Sequence, residues 1–271
     1  MGTKNDLRSK RRISPFISNL GIIPLQIRKP LVVAMWSVAA PGMGHFLLNK
    51  YLKGISLVLW ELFINQITNL NTAIVYSFSG DIEAAKSVLN EKYVLLYIPV
   101  YLFAIWDSYR STIMDNKVTL LSQREVLTFD SSYNINAFGS SYLVRKKPWH
   151  AICWSLTVPS LGQLYTNRFM LGIFTLIITI FIVVNSNLIE AIHYIIIGDT
   201  LQSKTVLVPQ WFLYFPSVYF FAIYDSYTYT IQTNKLYILE QRNYLITNYQ
   251  PLTFAINKGE YIHAGSDLSD L

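Results

Sequence analysis

The chain of 271 residues has one cysteine, four histidines and only 14% charged residues. The lone Cys153 excludes an intrachain disulfide and a cysteine metal cluster. No two histidines stand at metal-ligand spacing, no glycine-rich phosphate loop follows a strand pattern, and no nucleophile elbow or serine with a paired base is present. Catalytic, cofactor-binding and metal-binding roles are therefore assigned to no residue, and a non-enzymatic protein without cofactors is expected. The low charge also excludes an ordinary soluble composition, in which about a quarter of residues are charged. A net charge of +6 comes from basic residues that flank apolar stretches instead of forming a basic domain, so nucleic acid is not an expected partner.

What the chain has instead is 52% hydrophobic and 15% aromatic residues, the composition of a protein dissolved in lipid. It also has a stretch written twice. Residues 36–54 read WSVAAPGMGHFLLNKYLKG and residues 154–172 read WSLTVPSLGQLYTNRFMLG. One offset of 118, Lys147 against Lys29, aligns the halves without a gap as far as Arg124 and Arg242. Polar pairs keep register throughout: Gly80-Asp81 with Gly198-Asp199, Asp107-Ser108-Tyr109 with Asp225-Ser226-Tyr227, and Asn116-Lys117 with Asn234-Lys235. Chance apolar similarity does not preserve such residues, so the chain divides into a basic cytoplasmic or interfacial segment 1–28, a first membrane repeat 29–124, a linker 125–146, a second repeat 147–242 and a polar tail 243–271. The basic N-terminal segment does not have the pattern of a removable leader.

Each repeat contains three apolar stretches: Leu31–Leu48, Ile55–Phe78 and Tyr93–Tyr109, then Trp149–Tyr165, Phe169–Ile197 and Trp211–Tyr227. The expected fold is an all-α integral membrane bundle with either four full crossings plus two broken or re-entrant helices, or six crossings. If the Pro-Gly stretch dips in and returns, Lys50, Lys53, Arg110, Lys117, Arg145 and Arg168 all face the cytoplasm with both termini, as short basic loops require. If it crosses, the second repeat is inverted and the first group of basic residues falls outside.

Asp107 and Asp225 close the third stretch of each repeat, where a carboxylate is costly and usually paired. A clamp of Asp107 on Lys50 and of Asp225 on Arg168 is the expected role; coordination of a proton or cation is the alternative. Glu61 lies in the second stretch opposite Thr179, an unshared acid about seven residues into its helix. His45 stands opposite Gln163 and reads as a packed polar residue.

The spacing S-x-x-x-P-x-x-G-[HQ], followed by Asn-Lys or Asn-Arg and a later Gly, resembles bacterial membrane proteins with a TM2-like segment. The positions that carry the resemblance are Pro41, Gly44, Asn49, Lys50 and Gly54, and Pro159, Gly162, Asn167, Arg168 and Gly172; Trp36 and Trp154 open each motif. The pairing as a whole resembles a group of duplicated multi-pass bacterial membrane proteins, with Leu47 departing from the aromatic that Tyr165 supplies and a third helix added. That resemblance implies a helical fold in the cytoplasmic membrane and no reaction. The expected function is a membrane scaffold or accessory protein, with lipid, a membrane protein or a second copy as partners; the alternative is a small transporter or channel with a site between the repeats.

Overall fold

The computed structural model describes residues 26–123 and 143–249, together with two strand pairs, β1 Ile17–Ser18 with β2 Gly21–Ile22 and β3 Tyr133–Asn136 with β4 Gly139–Tyr142. The other described residues are helical where they are regular. Much of the basic N-terminal segment 1–28, most of the linker and the tail beyond Tyr249 lie outside the described residues.

The first repeat forms α1 Pro30–Ala39, α2 Met43–Leu47, α3 Tyr51–Thr68, α4 Leu70–Phe78, α5 Ile82–Val88 and α6 Glu91–Gln123. The second forms α7 Pro148–Thr157, α8 Leu161–Tyr165, α9 Phe169–Asn185, α10 Leu188–Ile197, α11 Thr200–Val206, α12 Pro209–Phe212 and α13 Tyr214–Tyr249. The starts of α1 to α6 recur 118 residues later, and the long third helix is divided at Leu213 in the second repeat. The duplicated punctuation explains the match. Pro30 and Pro148 occupy the first turn of α1 and α7, where a missing N–H costs nothing. Asp81 and Asp199 accept from the backbone amides of Ala84 and Gln202, each at 2.9 Å, to start α5 and α11.

Four asparagines make the remaining turns. Asn49 and Asn167 stand at φ 58° and 65° between the second and third helices, and Asn69 and Asn187 at 53° and 52° break what read as one middle stretch. Asparagine tolerates this left-handed region better than other side chains. The expected single helix Ile55–Phe78 is therefore two, α3 and α4, and its counterpart is bent by 58°. The third stretch departs in the other direction: α6 runs on to Gln123 and α13 to Tyr249, past the expected ends at Tyr109 and Tyr227. Asp107 and Asp225 thus sit inside long helices instead of closing them.

Among the described residues no single helix is long and apolar enough to cross a membrane. Three bent pairs reach that length and composition together: Ile82–Val88 with Glu91–Leu120 at 90°, Phe169–Asn185 with Leu188–Ile197 at 58°, and Thr200–Val206 with Pro209–Arg242 at 84°. Bent apolar pairs in a predominantly helical chain are compatible with a membrane protein.

The α1–α2 unit is a hairpin whose two ends lie at one level. The Arg28 backbone exchanges two hydrogen bonds with the Asn116 side chain, at 2.9 and 2.7 Å, while Lys50 reaches Asp115. Between them the hairpin descends to its tip, where the Tyr101 hydroxyl donates to the Val38 carbonyl at 2.7 Å. The same ladder appears on Asn234 with Lys146 and on Tyr219 with Leu156. α1 also lies along α13, with Arg28 donating to Gln232 and Ser217 to the Ala39 carbonyl. Residues 116 and 101 of α6 thus meet the same ends of α1 as residues 232 and 217 of α13, so the two long helices run parallel and both repeats have the same orientation.

Candidate functional site

The duplicated motif residues meet at three shared joints and one that is not shared. The first is a close approach. A side chain added at Gly44 would collide with Ser37 Oγ and the Val33 carbonyl, and one added at Gly162 with Ser155 Oγ and the Ala151 carbonyl. Ser37, Ser108, Ser155 and Ser226 are all fully buried around these glycines, and Ser155 and Ser226 share a hydrogen bond of 2.8 Å. Small residues let the hairpin and the long helix touch backbone to backbone. The serines were quoted in the repeat without a role; their fixed place beside Trp and Asp in both copies is the signal that marks them.

The second joint is a bend. Pro41 and Pro159 lie where α1 and α7 stop, followed by Gly42 at φ 100° and Ser160 at φ 128°. Positive φ suits Gly42, whereas the buried Ser160 adopts it with a side chain in place. Gly54 and Gly172, at the start of the third helix, leave room for the Phe46 ring and the Leu164 side chain.

The third joint is the aspartate. Asp107 accepts from Lys53 Nζ at 2.9 Å and stands 3.0 Å from His45 Nε2; Asp225 accepts from Arg168 Nη1 and from Gln163 Nε2 at 3.0 Å. The Arg168–Asp225 clamp forms as read. The Asp107–Lys50 clamp does not: Lys53, one turn into α3, takes Asp107, and Lys50 bonds Asp115 eight residues further along α6. The cause is local. Position 53 is Leu171 in the other repeat, and position 115 is Thr233, so only the first repeat offers this second cation and second acid. His45 and Gln163, equivalent positions at which His45 reads as a packed polar residue, make the same contact to the aspartate. Their shared position opposite a shared aspartate is the sequence signal.

Arg168 does more than its counterpart. Its fork also donates to the Phe46 carbonyl and to Asn49 Oδ1, both at 3.0 Å, and its Nε reaches the Tyr51 hydroxyl at 3.4 Å. It therefore ties the second repeat to the first hairpin while completely buried, with the Tyr229 ring 4.7 Å away. Beside it is a cavity of about 290 Å³ whose rim includes Arg28, outside the helices; burial, and then the Arg168 charge, lower the Arg28 guanidinium to about 10.

The unshared joint lies at the other end of the repeat interface. Gln210 donates to Asn65 Oδ1 and to the Asn65 carbonyl, at 2.9 and 2.8 Å, and accepts from the Thr72 amide and hydroxyl, each at 2.9 Å. Asn71 donates to the Gln210 carbonyl at 2.9 Å. The equivalents of Asn65, Asn71, Thr72 and Gln210 are Val183, Ile189, Glu190 and Lys92, so no repeat signal pointed here.

Above this clasp a second cavity, of about 330 Å³, opens between the repeats. The hairpin tip at Val38–Ala40, Tyr97, Tyr101, Asn65 and Tyr214 line it, and so does Glu61. Glu61 is ten residues into α3 and only 7% exposed, deeper than the seven residues counted from the apolar run. Among the described residues it has neither a hydrogen bond nor an ion pair, and the buried Tyr214 hydroxyl is also unpartnered. Its equivalent, Thr179, donates to the Pro159 carbonyl at the other hairpin tip, so Glu61 occupies the place of a hydroxyl donor. No group of three His, Cys, Asp or Glu able to hold a metal occurs among the described residues.

Comparison of the chain with protein-family models, curated proteins and solved structures returned no match.

Proposed function

We propose that the protein is a multi-pass protein of the cytoplasmic membrane that binds a small cation, the proton included, at Glu61 between its repeats and passes it across the bilayer. The observation that carries this reading is Glu61 itself: a buried carboxyl without a partner among the described residues, lining a cavity between two parallel repeats beside a broken helical hairpin. An unpaired carboxylate removed from water is too costly to persist, so the group needs a proton or a cation. Sites between repeats, next to interrupted helices, are where transporters of duplicated design place their ligands. A protonated Glu61 has the O–H that Thr179 uses in the other repeat; deprotonation removes that donor and charges the cavity.

The geometry supports the topology this requires. Each hairpin starts at the level of Asn116 or Asn234 and turns back after a tip held by Tyr101 or Tyr219, which favours an even number of crossings per repeat. That arrangement gathers Arg28, Lys29, Lys50, Lys53, Arg168 and Lys235 on one side, the cytoplasmic one by the positive-inside rule. Cysteines replacing Leu52 and Ser131, in a Cys153→Ser background, should react with a membrane-impermeant thiol reagent from the same side. Reaction from opposite sides would refute the re-entrant arrangement.

The deciding experiment uses purified protein in liposomes. Dissipation of an imposed pH gradient and uptake of monovalent cations are compared for the parent and Glu61→Gln. Flux abolished by Glu61→Gln, with melting temperature retained, supports the reading. Equal flux, or none from either protein, overturns it in favour of a non-enzymatic scaffold. That second reading rests on one observation: both shared acids, Asp107 and Asp225, are held in clamps within the bundle.

A further inference from the structure

The two repeats meet through different surfaces. The first contributes its hairpin, with the Trp36 ring 5.4 Å from Phe221 and 5.2 Å from Tyr224, and Phe46 5.5 Å from Phe174. It also contributes Thr72, bonded to Gln210. The second contributes the outer faces of α9, α12 and α13. A twofold arrangement would use each surface twice, setting the second hairpin on the first long helix. That second use is absent. Trp154, the equivalent of Trp36, is 51% exposed; Phe103 and Trp106, the equivalents of Phe221 and Tyr224, are 51% and 53% exposed, against 2% for Phe221. A contact between unlike surfaces leaves one of each kind free, and such contacts propagate from copy to copy.

The two free surfaces carry opposite charges at matching positions. Thr72 and Gln210 form the polar clasp inside the chain, and their equivalents are Glu190 and Lys92. Both are exposed, and neither has an ion-pair partner among the described residues. The rotation that brings Thr72 to Gln210 within one chain brings Glu190 of one copy to Lys92 of the next. Lipid would cover Trp154, Phe103 and Trp106 equally well, but it gives no reason for opposite charges at the two equivalents of a bonded pair.

We propose that the protein assembles head to tail with further copies of itself, the second hairpin of one copy docking on α6 of the next through Trp154 against Phe103 and Trp106, with Glu190 paired to Lys92. The inference rests on the repeat interface alone and is independent of what Glu61 binds.

The test is disulfide trapping in proteoliposomes, with Cys153→Ser in every protein. The double variant Lys92→Cys/Glu190→Cys should form a ladder of covalent dimers and larger species on oxidation. Either single variant alone should stay monomeric, and the two singles mixed should give dimers. Single variants that cross-link to themselves would show a twofold contact and overturn the proposal, as would a double variant that stays monomeric or closes a disulfide within one chain. A second measurement is native mass spectrometry in mild detergent. Glu190→Lys should shift the oligomer to monomer at least tenfold, and Glu190→Lys/Lys92→Glu should restore it; failure of restoration also overturns the pairing. Both positions are exposed, and retained helical circular dichroism will verify folding.

Discussion

His45 Nε2 stands 3.0 Å from Asp107 Oδ2, the same separation that joins Gln163 Nε2 to Asp225 Oδ2 in the second repeat. A neutral amide does in one copy what an imidazole does in the other. The shared requirement is one hydrogen-bond donor to the shared aspartate, not a titrating group. His45→Gln should therefore leave the melting temperature in detergent unchanged. His45→Leu removes one of the two donors to Asp107, Lys53 being the other, and should cost about 1–2 kcal/mol, the scale of one net hydrogen bond to a charged group. Equal loss from both variants would show that the imidazole ring itself is needed.

Arg168 and Lys50 occupy equivalent positions, yet their removal should differ. Arg168→Leu strands Asp225 and frees the Phe46 carbonyl and Asn49, an expected loss of about 3–5 kcal/mol, typical of breaking a buried ion pair. Lys50→Ala loses a half-exposed pair with Asp115 and should cost no more than about 1 kcal/mol. Chemical denaturation of the two variants in detergent compares them directly.

Gly44→Ala and Gly162→Ala each push a methyl group against a serine hydroxyl and a backbone carbonyl of the opposing hairpin arm. The backbone cannot step aside, so each should destabilise by about 1–3 kcal/mol, as overpacking does. Gly80→Asn is the control. Gly80 has φ 85° but open space around its Cβ position, and asparagine tolerates that conformation. Thermal unfolding should separate the two kinds of glycine.

Gln210→Leu removes a side chain that gives and takes four hydrogen bonds across the repeat interface. The Thr72 amide loses its acceptor while the Asn65 side chain keeps only Asn71, and the variant should be less stable by about 1–3 kcal/mol. Hydrogen exchange should rise in α4, because α4 is the element held through Thr72. Unchanged exchange there would mean that α4 is held without the Gln210 side chain.

How much of this was legible depended on whether a residue appears twice. The repeat, the Pro-Gly break, the Arg168–Asp225 clamp and the helical class could be read because register-locked polar residues survive 118 residues apart. The turns at Asn69 and Asn187 were equally duplicated but were passed over, since their flanks are continuously apolar and hydropathy does not register backbone conformation. The lengths of α6 and α13 were underestimated for the opposite reason: hydrophobicity ends at Tyr109 and Tyr227, whereas helix formation does not require it. The Asn65–Asn71–Gln210 clasp and the depth of Glu61 were out of reach. Both arise from packing between repeats, where the two copies have diverged, and no periodicity within one copy reports them.

The hairpin that returns to its own starting level has a consequence for how such a chain can come into being. Arg28 and the last turns of α6 lie at one end of the repeat, so the unit begins and ends at the same end of the bundle. A gene for one unit can then be copied in tandem and joined by a tether, with the second unit packing in the same orientation as the first. The join would convert an association between two separate products into a contact within one, raising its effective concentration without altering a single side chain.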